Sequence, residues 1–271
     1  MIQDIAPAFL DNSFKPEVRA LPGSPVFYFE GNRLALKEDG SVPLFKDIEA
    51  DDLIYLFDLT NTPCFLTRKR PEGLDLTSLR EIRQSRSLGK DMAFAVYTAC
   101  HLASWYDSSD YCGRCGHKTT FGTKERSRIC PECGNVIYPR INPAVILGIL
   151  NSDKSRILLT KYAGRDFNHY ALVAGFTEIG ETLEQTCMRE AMEEVGLKIK
   201  DIKYYKSQPW GSALDILAGF FCMVDGSEEI TMDAGELKTA LWCSPEEVVL
   251  QPDDYSLTNE MMRLFKEGRL V

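Results

Sequence analysis

The sequence predicts an α+β chain in three parts: a β-rich N-terminal domain with helices over residues 1–108, a cysteine-clipped module over 109–140, and a C-terminal domain of strands and helices over 141–271. Three observations carry this division. Short apolar runs separated by turn-forming residues open the chain. From Tyr111 to Tyr138 hydrophobic periodicity gives way to cysteine, glycine and basic residues. After Pro139, apolar strand-like runs resume and alternate with helical patterns.

In the N-terminal part, Val26-Phe27-Tyr28-Phe29 and Leu34-Ala35-Leu36 flank Gly31-Asn32, the pattern of a hairpin. Leu53 to Leu59 and Cys64 to Thr67 flank a Thr-Asn-Thr-Pro turn in the same way. Ser78-Leu79-Arg80-Glu81 fits a capping box, in which the serine oxygen accepts from a first-turn amide and the glutamate reaches back. A helix follows, breaks near Gly89, and resumes from Asp91 to about Tyr106, with Met92, Val96, Ala99, Ala103 and Tyr106 on one buried face. Cys100 and His101 on this helix read as buried and solvated residues rather than chemistry.

In the C-terminal part, Ala144 to Leu150, Ile157 to Leu159, Leu172 to Ala174, Leu214 to Val224 and Leu241 to Cys243 read as strands. Glu181 to Val195 is the clearest helix, and Asn259 to Lys266 a last one.

The 271 residues are 44% hydrophobic and 26% charged, an ordinary globular composition that excludes disordered and collagen-like classes. The longest apolar run, Ile216 to Val224, is far short of the roughly 18–20 residues that span a bilayer. No basic stretch followed by an apolar one opens the chain, and its end is not a peroxisomal address, so the cytoplasm is the expected compartment. The net charge of −9 disfavours nonspecific nucleic-acid binding through the overall field. It is unevenly spread: residues 112–140 carry +4, between flanks of −5 and −8.

Nine cysteines, an odd number in a reducing compartment, do not read as a disulfide framework. Cys112-Gly-Arg-Cys115 and Cys130-Pro-Glu-Cys133, fourteen residues apart, match a zinc ribbon instead. Gly113, Gly116 and Gly134 supply the backbone freedom such knuckles need. Four thiolates fill a tetrahedral zinc and leave no open position, so one Zn²⁺ here is structural. His117 is surplus to the ligand count. Cys64, Cys100, Cys187, Cys222 and Cys243 remain as reduced core residues. Arg114, Lys118, Lys124, Arg126 and Arg128 give the ribbon its positive charge, which serves either a phosphate-bearing partner or docking on acidic neighbours.

Residues 175–197 hold the densest chemistry. On a helix, Glu190, Glu193 and Glu194 stand at i, i+3 and i+4 and project from one face. A solvated acidic face normally interleaves lysines; here Arg189 is the sole adjacent cation, and Lys198 falls beyond Gly196. Clustered carboxylates with so little countercharge suit hard divalent cations, which Mg²⁺ shares between protein carboxylates and substrate phosphates.

The same segment resembles the Nudix box, G-x5-E-x7-R-E-U-x-E-E-x-G-U, with Gly175, Glu181, Arg189, Glu190, Glu193, Glu194 and Gly196 at its fixed positions. A chance match is on the order of 10⁻⁶ at average residue frequencies. Ala191 is small where the box takes a larger aliphatic. The resemblance implies a Nudix α/β/α sandwich with a mixed sheet, and an enzyme that hydrolyses a nucleoside diphosphate linked to another group. Gly175 and Gly180 would let the preceding loop turn tightly, and Gly196 would end the helix in a left-handed cap. Arg189 would grip a carboxylate bidentately, with Glu181 as an orienting group.

Ser207-Gln208-Pro209-Trp210, eleven residues past Gly196 and preceded by the four-cysteine ribbon, resembles the NADH pyrophosphatase family, also known as NAD-capped RNA hydrolases. The resemblance covers about residues 95–271. It implies substrate contacts at Glu125, Tyr138, Gln208, Pro209, Trp210 and Thr258, with Phe176 stacking on the nicotinamide side. It implies two or three Mg²⁺ or Mn²⁺ ions on the Ala174 carbonyl, Glu190, Glu193, Glu194 and Glu236. It also implies a homodimer. Where the family continues with Pro-Phe-Pro and a serine, this chain reads Gly211-Ser-Ala-Leu-Asp215, so a carboxylate replaces a hydroxyl.

The expected reaction is hydrolysis of the pyrophosphate bond of NADH or NAD⁺ to NMNH or NMN and AMP, with Glu193, Glu194, Glu236 or a metal-bound hydroxide as general base. Removal of a 5′ NAD cap from RNA by the same chemistry is the alternative, which the +4 ribbon favours and the overall charge opposes. A non-enzymatic zinc-ribbon regulator that binds nucleotides or nucleic acid is a third reading, against which the intact carboxylates speak.

Overall fold

The computed structural model describes residues 1–164 and 169–270. The chain forms two compact units, one of residues 2–141 with 210–214, the other of Met1 with 142–209 and 215–271.

In the first unit the elements run β1 (Leu10–Asp11), β2 (Val26–Phe27), β3 (Phe29–Glu30), β4 (Arg33–Leu36), β5 (Ile54–Leu59), β6 (Thr62–Leu66), β7 (Asp75–Ser78), α1 (Leu79–Ser85), α2 (Lys90–Ser108), β8 (Thr120–Phe121), β9 (Arg128–Ile129) and β10 (Val136–Ile137). The hairpin about Gly31-Asn32 forms as β3 and β4, with Phe29 opposite Leu34. The second hairpin joins β5 to β6, but its turn is shorter than the pattern suggested: Thr60 and Asn61 both take positive φ, 46° and 65°, and Pro63 already lies in the strand. Two consecutive left-handed residues reverse the chain in the hand that matches strand twist, so no four-residue turn is needed. The Ser78 capping box is present, with Glu81 N donating to Ser78 Oγ at 3.1 Å and Ser78 N donating to Glu81 Oε2 at 2.9 Å. Helix α2 buries more than the single stripe expected. Ala95, Tyr97, Leu102 and Trp105 are buried beside Val96, Ala99, Ala103 and Tyr106, whereas Met92 is only half-buried. Cys100 is buried, and His101 Nε2 lies 2.7 Å from the Arg140 carbonyl.

The second unit runs β11 (Asn142–Leu150), β12 (Ile157–Tyr162), β13 (Val173–Phe176), α3 (Leu183–Val195), β14 (Ile199–Trp210), β15 (Asp215–Val224), β16 (Leu237–Cys243) and α4 (Leu257–Lys266). Its sheet has the order β14-β15-β11-β12-β16, with β13 also pairing β11. It is mixed: β11 runs parallel to β15 from Asn142↔Asp215 to Leu150↔Met223 and antiparallel to β12 and β13. Alternation along β11 explains its unbroken apolar run. Val145, Leu147 and Ile149 pack with Cys187, Ala191 and Val195 of α3, while Ile146 and Leu150 pack with Leu257, Met261 and Phe265 of α4. One helix covers each face, the α/β/α sandwich that the resemblance implied. Each fully buried aliphatic, Leu147 for example, contributes about 1.5–3 kcal/mol.

Strand β14 has no counterpart in the sequence reading. Its residues, IKDIKYYKSQPW, mix charged with apolar side chains without a strict period of two, and it lies at the edge of the sheet, where lysines guard an open ladder. Helix α4 also starts earlier than expected: Ser256 caps it, its Oγ accepting from Asn259 N at 3.1 Å, so Thr258 lies within the helix.

Candidate active site

Helix α3 is built to present carboxylates. Thr182 caps it in a box with Gln185, Gln185 N donating to Thr182 Oγ1 at 3.2 Å and Thr182 N to Gln185 Oε1 at 2.8 Å. At the other end Gly196 takes φ 69°, and Leu197 N donates to Ala191 O at 3.1 Å, the left-handed close expected there. Gly180, at φ 96°, turns the preceding loop. Gly175 has a different reason from the turn expected of it. It sits in β13, and a Cβ there would lie 2.0–2.3 Å from the Glu190 carboxyl atoms. Only glycine lets strand and carboxylate approach so closely.

Arg189 ties the site together. Nε and Nη2 donate to Glu181 at 2.7 and 3.0 Å, a bidentate grip. Nη1 donates to Glu190 Oε1 at 2.7 Å and Glu193 Oε2 at 2.8 Å, and Nη2 also reaches the Phe176 carbonyl at 2.8 Å. Glu181 is further held by Thr186 Oγ1 at 3.0 Å and by the Glu178 amide at 3.1 Å. The Arg189 guanidinium keeps its carboxyl far down, at about 2. The face is thus less bare of countercharge than the helical spacing suggested.

Glu190 and Glu194 are buried, 8% and 2% exposed, whereas Glu193 and Glu236 stand exposed. Burial pushes the Glu190 carboxyl above its usual range; Arg189 opposes the shift, and the charges of Glu193 and Glu236 add to it. Glu236 reaches this neighbourhood because the chain before β16 closes the end of α3: Thr231 N donates to Val195 O at 3.0 Å and Asp233 N to Glu194 O at 2.9 Å. A turn from Asp233, with Leu237 N on Asp233 O at 2.9 Å, then sets Glu236 at the start of the strand.

Among the described residues, Cys112, Cys115, Cys130 and Cys133 are the one group of three or more ligand side chains whose donor atoms all lie within 4.8 Å. Their sulfurs stand 3.4–3.6 Å apart along three edges, close to the edge of a tetrahedron whose corners lie about 2.3 Å from a zinc ion. The two knuckles repeat one geometry: Gly116 N donates to Cys112 O at 2.8 Å and Gly134 N to Cys130 O at 3.0 Å, with φ of 77° and 70° at the glycines. The Arg114 amide, 3.4 Å from Cys112 Sγ, draws that thiol below its usual range. The donor set fits one structural Zn²⁺. The carboxylates do not converge as tightly, since Arg189 holds two of them. Even so, their mutual repulsion, the burial of Glu190 and Glu194, and their hard oxygen donors fit Mg²⁺ or Mn²⁺.

The other expected site residues are distributed between the units. In the second, Phe176 is exposed, Pro209 exposed and Thr258 half-buried. Gln208 is fully buried and committed to backbone, its Nε2 donating to Tyr255 O at 2.7 Å and its Oε1 accepting from Leu257 N at 2.6 Å, so it anchors the start of α4. In the first unit Glu125 and Tyr138 meet, Tyr138 Oη donating to Glu125 Oε1 at 2.8 Å. Trp210 packs on Tyr97 at a centroid distance of 5.2 Å, and the Arg83 guanidinium lies over its indole, also at 5.2 Å. Arg83 and Tyr97 escaped the sequence reading because their link to Trp210 spans more than a hundred positions.

Two ribbon cations expected at the surface face inward. Arg128 is 2% exposed and bonds Thr119 Oγ1 at 2.9 Å and Asp110 at 3.1 Å, while Arg126 donates to the Leu56 carbonyl. Arg114, Lys118 and Lys124 remain exposed.

Comparison with known proteins agrees with this geometry. The NUDIX domain model matches residues 140–265, and the NADH pyrophosphatase zinc ribbon domain model matches residues 107–138. The chain is similar to a protein of Enterobacter sp. (strain 638) described as NAD-capped RNA hydrolase NudC, 35% identical over 171 residues, 63% of this chain. Escherichia coli proteins of the same description are 38% identical over 151 residues, 56% of this chain. The chain spans 65% and 58% of the length of these relatives. Among solved structures, a NUDIX hydrolase from Nitrosomonas europaea shares the fold at a TM-score of 0.50 and 21% identity, covering 59% of this chain and 92% of that one.

Proposed function

From a chain that carries a NUDIX domain behind an NADH pyrophosphatase zinc ribbon domain, we propose that this protein hydrolyses the pyrophosphate bond of NADH or NAD⁺, releasing NMNH or NMN and AMP. The observation that carries the reading is the approach of Glu190 to Gly175, fixed by Arg189 through Glu181 and the Phe176 carbonyl. It sets a buried carboxylate against the end of the strand that bears an exposed aromatic ring. A dinucleotide fits that edge, with its diphosphate at the carboxylates and a base on Phe176.

Glu190, Glu193, Glu194, Glu236 and the Ala174 carbonyl would hold Mg²⁺ or Mn²⁺. When bound, these cations supply charge neutralisation at the phosphates and a lowered pKa for water. Arg189 orients Glu190 and Glu193 and keeps the Phe176 carbonyl in place. In this reading Glu193, Glu194 or Glu236 accepts the proton of the attacking water, and the exposure of Glu193 and Glu236 supports those two. Glu181 stays ionised and orients Arg189. Glu125, Tyr138 and Trp210 are proposed substrate contacts, as are Pro209 and Thr258. Gln208, also expected at the substrate, holds that segment through Tyr255 and Leu257.

Removal of a 5′ NAD cap from RNA is a second reading of the same chemistry, supported by the description of the curated relatives and by the exposed Arg114, Lys118 and Lys124. A homodimer is proposed on the sequence resemblance. A cytoplasmic setting is proposed on the odd cysteine count and the five buried thiols outside the ribbon. No helix among the described residues is long and apolar enough to cross a membrane.

Product analysis on NADH, NAD⁺, ADP-ribose, FAD, diadenosine polyphosphates and NAD-capped RNA tests these readings together. Fastest release of AMP and NMNH from NADH or of AMP and NMN from NAD⁺ is expected; fastest hydrolysis of any other member would move the substrate assignment. Cleavage of capped RNA that does not weaken with rising salt would count against RNA backbone contact.

A further inference from the structure

We propose that Asp215 biases this site toward the oxidised, cationic nicotinamide ring and away from the reduced, neutral one. The inference rests on the dinucleotide reading above and goes beyond it by assigning a residue to the choice between two substrates.

The geometry comes from strand register. The Cβ direction of Gly175 points at Glu190 of α3, so the next residue, Phe176, points to the opposite face of the sheet. Phe176 pairs with Ala144 of β11, and Ala144 pairs with Leu217 of β15. Paired residues share a face, and Leu217 lies in the cluster on the α4 side, which confirms the direction. Asp215 is two residues back along β15, opposite Asn142, and therefore on that same face. Strand spacing and rise put its Cα roughly 12 Å from that of Phe176, with the buried Ala144 between their rows. A flat ring stacked on Phe176 lies within about 10 Å of the carboxylate.

Asp215 is 6% exposed, and its Oδ1 has no hydrogen-bond partner among the described residues. Burial raises its carboxyl to about 6, so at pH 7.5 it carries a negative charge in a poorly screened place. Such a residue serves the fold badly, since a buried carboxylate oxygen without a donor costs stability. It serves discrimination well: a unit charge at about 10 Å and intermediate dielectric changes the affinity of a cationic ring on the order of tenfold and that of a neutral ring far less. The relevant substrates differ by that one charge.

The test is steady-state kinetics at pH 7.5 with NAD⁺ and NADH for wild type, Asp215→Asn and Asp215→Ser. The ratio of kcat/KM for NAD⁺ to that for NADH should fall about tenfold in both variants, through KM rather than kcat. A ratio within twofold of wild type overturns the assignment. Should neither variant fold, inhibition of the wild type by NMN and NMNH decides: tighter binding of the cationic mononucleotide supports the role, equal inhibition removes it. A wild type that turns over neither dinucleotide fails the dinucleotide reading and this inference together, whereas an active wild type with an unmoved ratio fails this inference alone.

Discussion

Arg189 shows how much geometry one side chain can fix. Its guanidinium bridges the loop before α3, two carboxylates of the helix and the end of β13. Removing Glu181 would release the loop side of that bridge. Because the folded Glu181 carboxyl lies far below its ordinary 4.5, its stabilisation is complete above that value and is lost as pH falls toward about 2. Glu181→Gln should therefore melt below wild type by a constant interval from pH 6 to 8, and the gap should close as pH drops below 4. A gap that persists unchanged at pH 3 would contradict the ion-pair account. The spacing of Glu190, Glu193 and Glu194 was legible in the sequence, because helical periodicity is local. That Arg189 holds the first two, and that Gly175 clears space for Glu190 rather than making a turn, was not. Those are contacts between a strand and a helix, invisible until the sheet is assembled.

Among the elements, α3 and β11 were the easiest to foresee. One has a carboxylate face and a terminating glycine; the other has an apolar run long enough to need cover on both sides. Strand β14 was hidden because an edge strand exposes its lysines and looks like a polar linker. The Ser-Gln-Pro-Trp segment lies on it, so the sequence revealed a signature while concealing the element that carries it. The two-residue turn at Thr60-Asn61 was hidden for a related reason: a left-handed threonine is locally unfavourable and is imposed by the strands it joins. The ribbon is the opposite case, since metal spacing is written in the chain and its three two-residue strands bury almost nothing. Its order should therefore depend on the ion. Stripping zinc with a strong chelator, or Cys133→Ser, should abolish amide protection over residues 112–138 while α2 keeps its own. One zinc per chain is expected before treatment; undiminished protection after complete metal removal would show that the knuckles stand without it.

At the scale of the molecule, charge follows structure. The +4 of the ribbon segment is less available than the sum suggests, because Arg126 and Arg128 are spent on internal carbonyl, hydroxyl and carboxylate partners. The overall −9 likewise contains Glu190, Glu193, Glu194 and Glu236, which bound cations would offset. The nine cysteines divide into four that converge on one centre and five that are buried thiols, the division that spacing had suggested. In the proposed function the α3 face joins the fold to chemistry, and the most direct test is to remove one buried carboxylate while leaving its shape. Release of AMP and NMNH from NADH at saturating Mg²⁺ should be robust in wild type and fall at least about a thousandfold in Glu194→Gln, with an unchanged melting profile. Turnover near wild type in that variant would contradict the account.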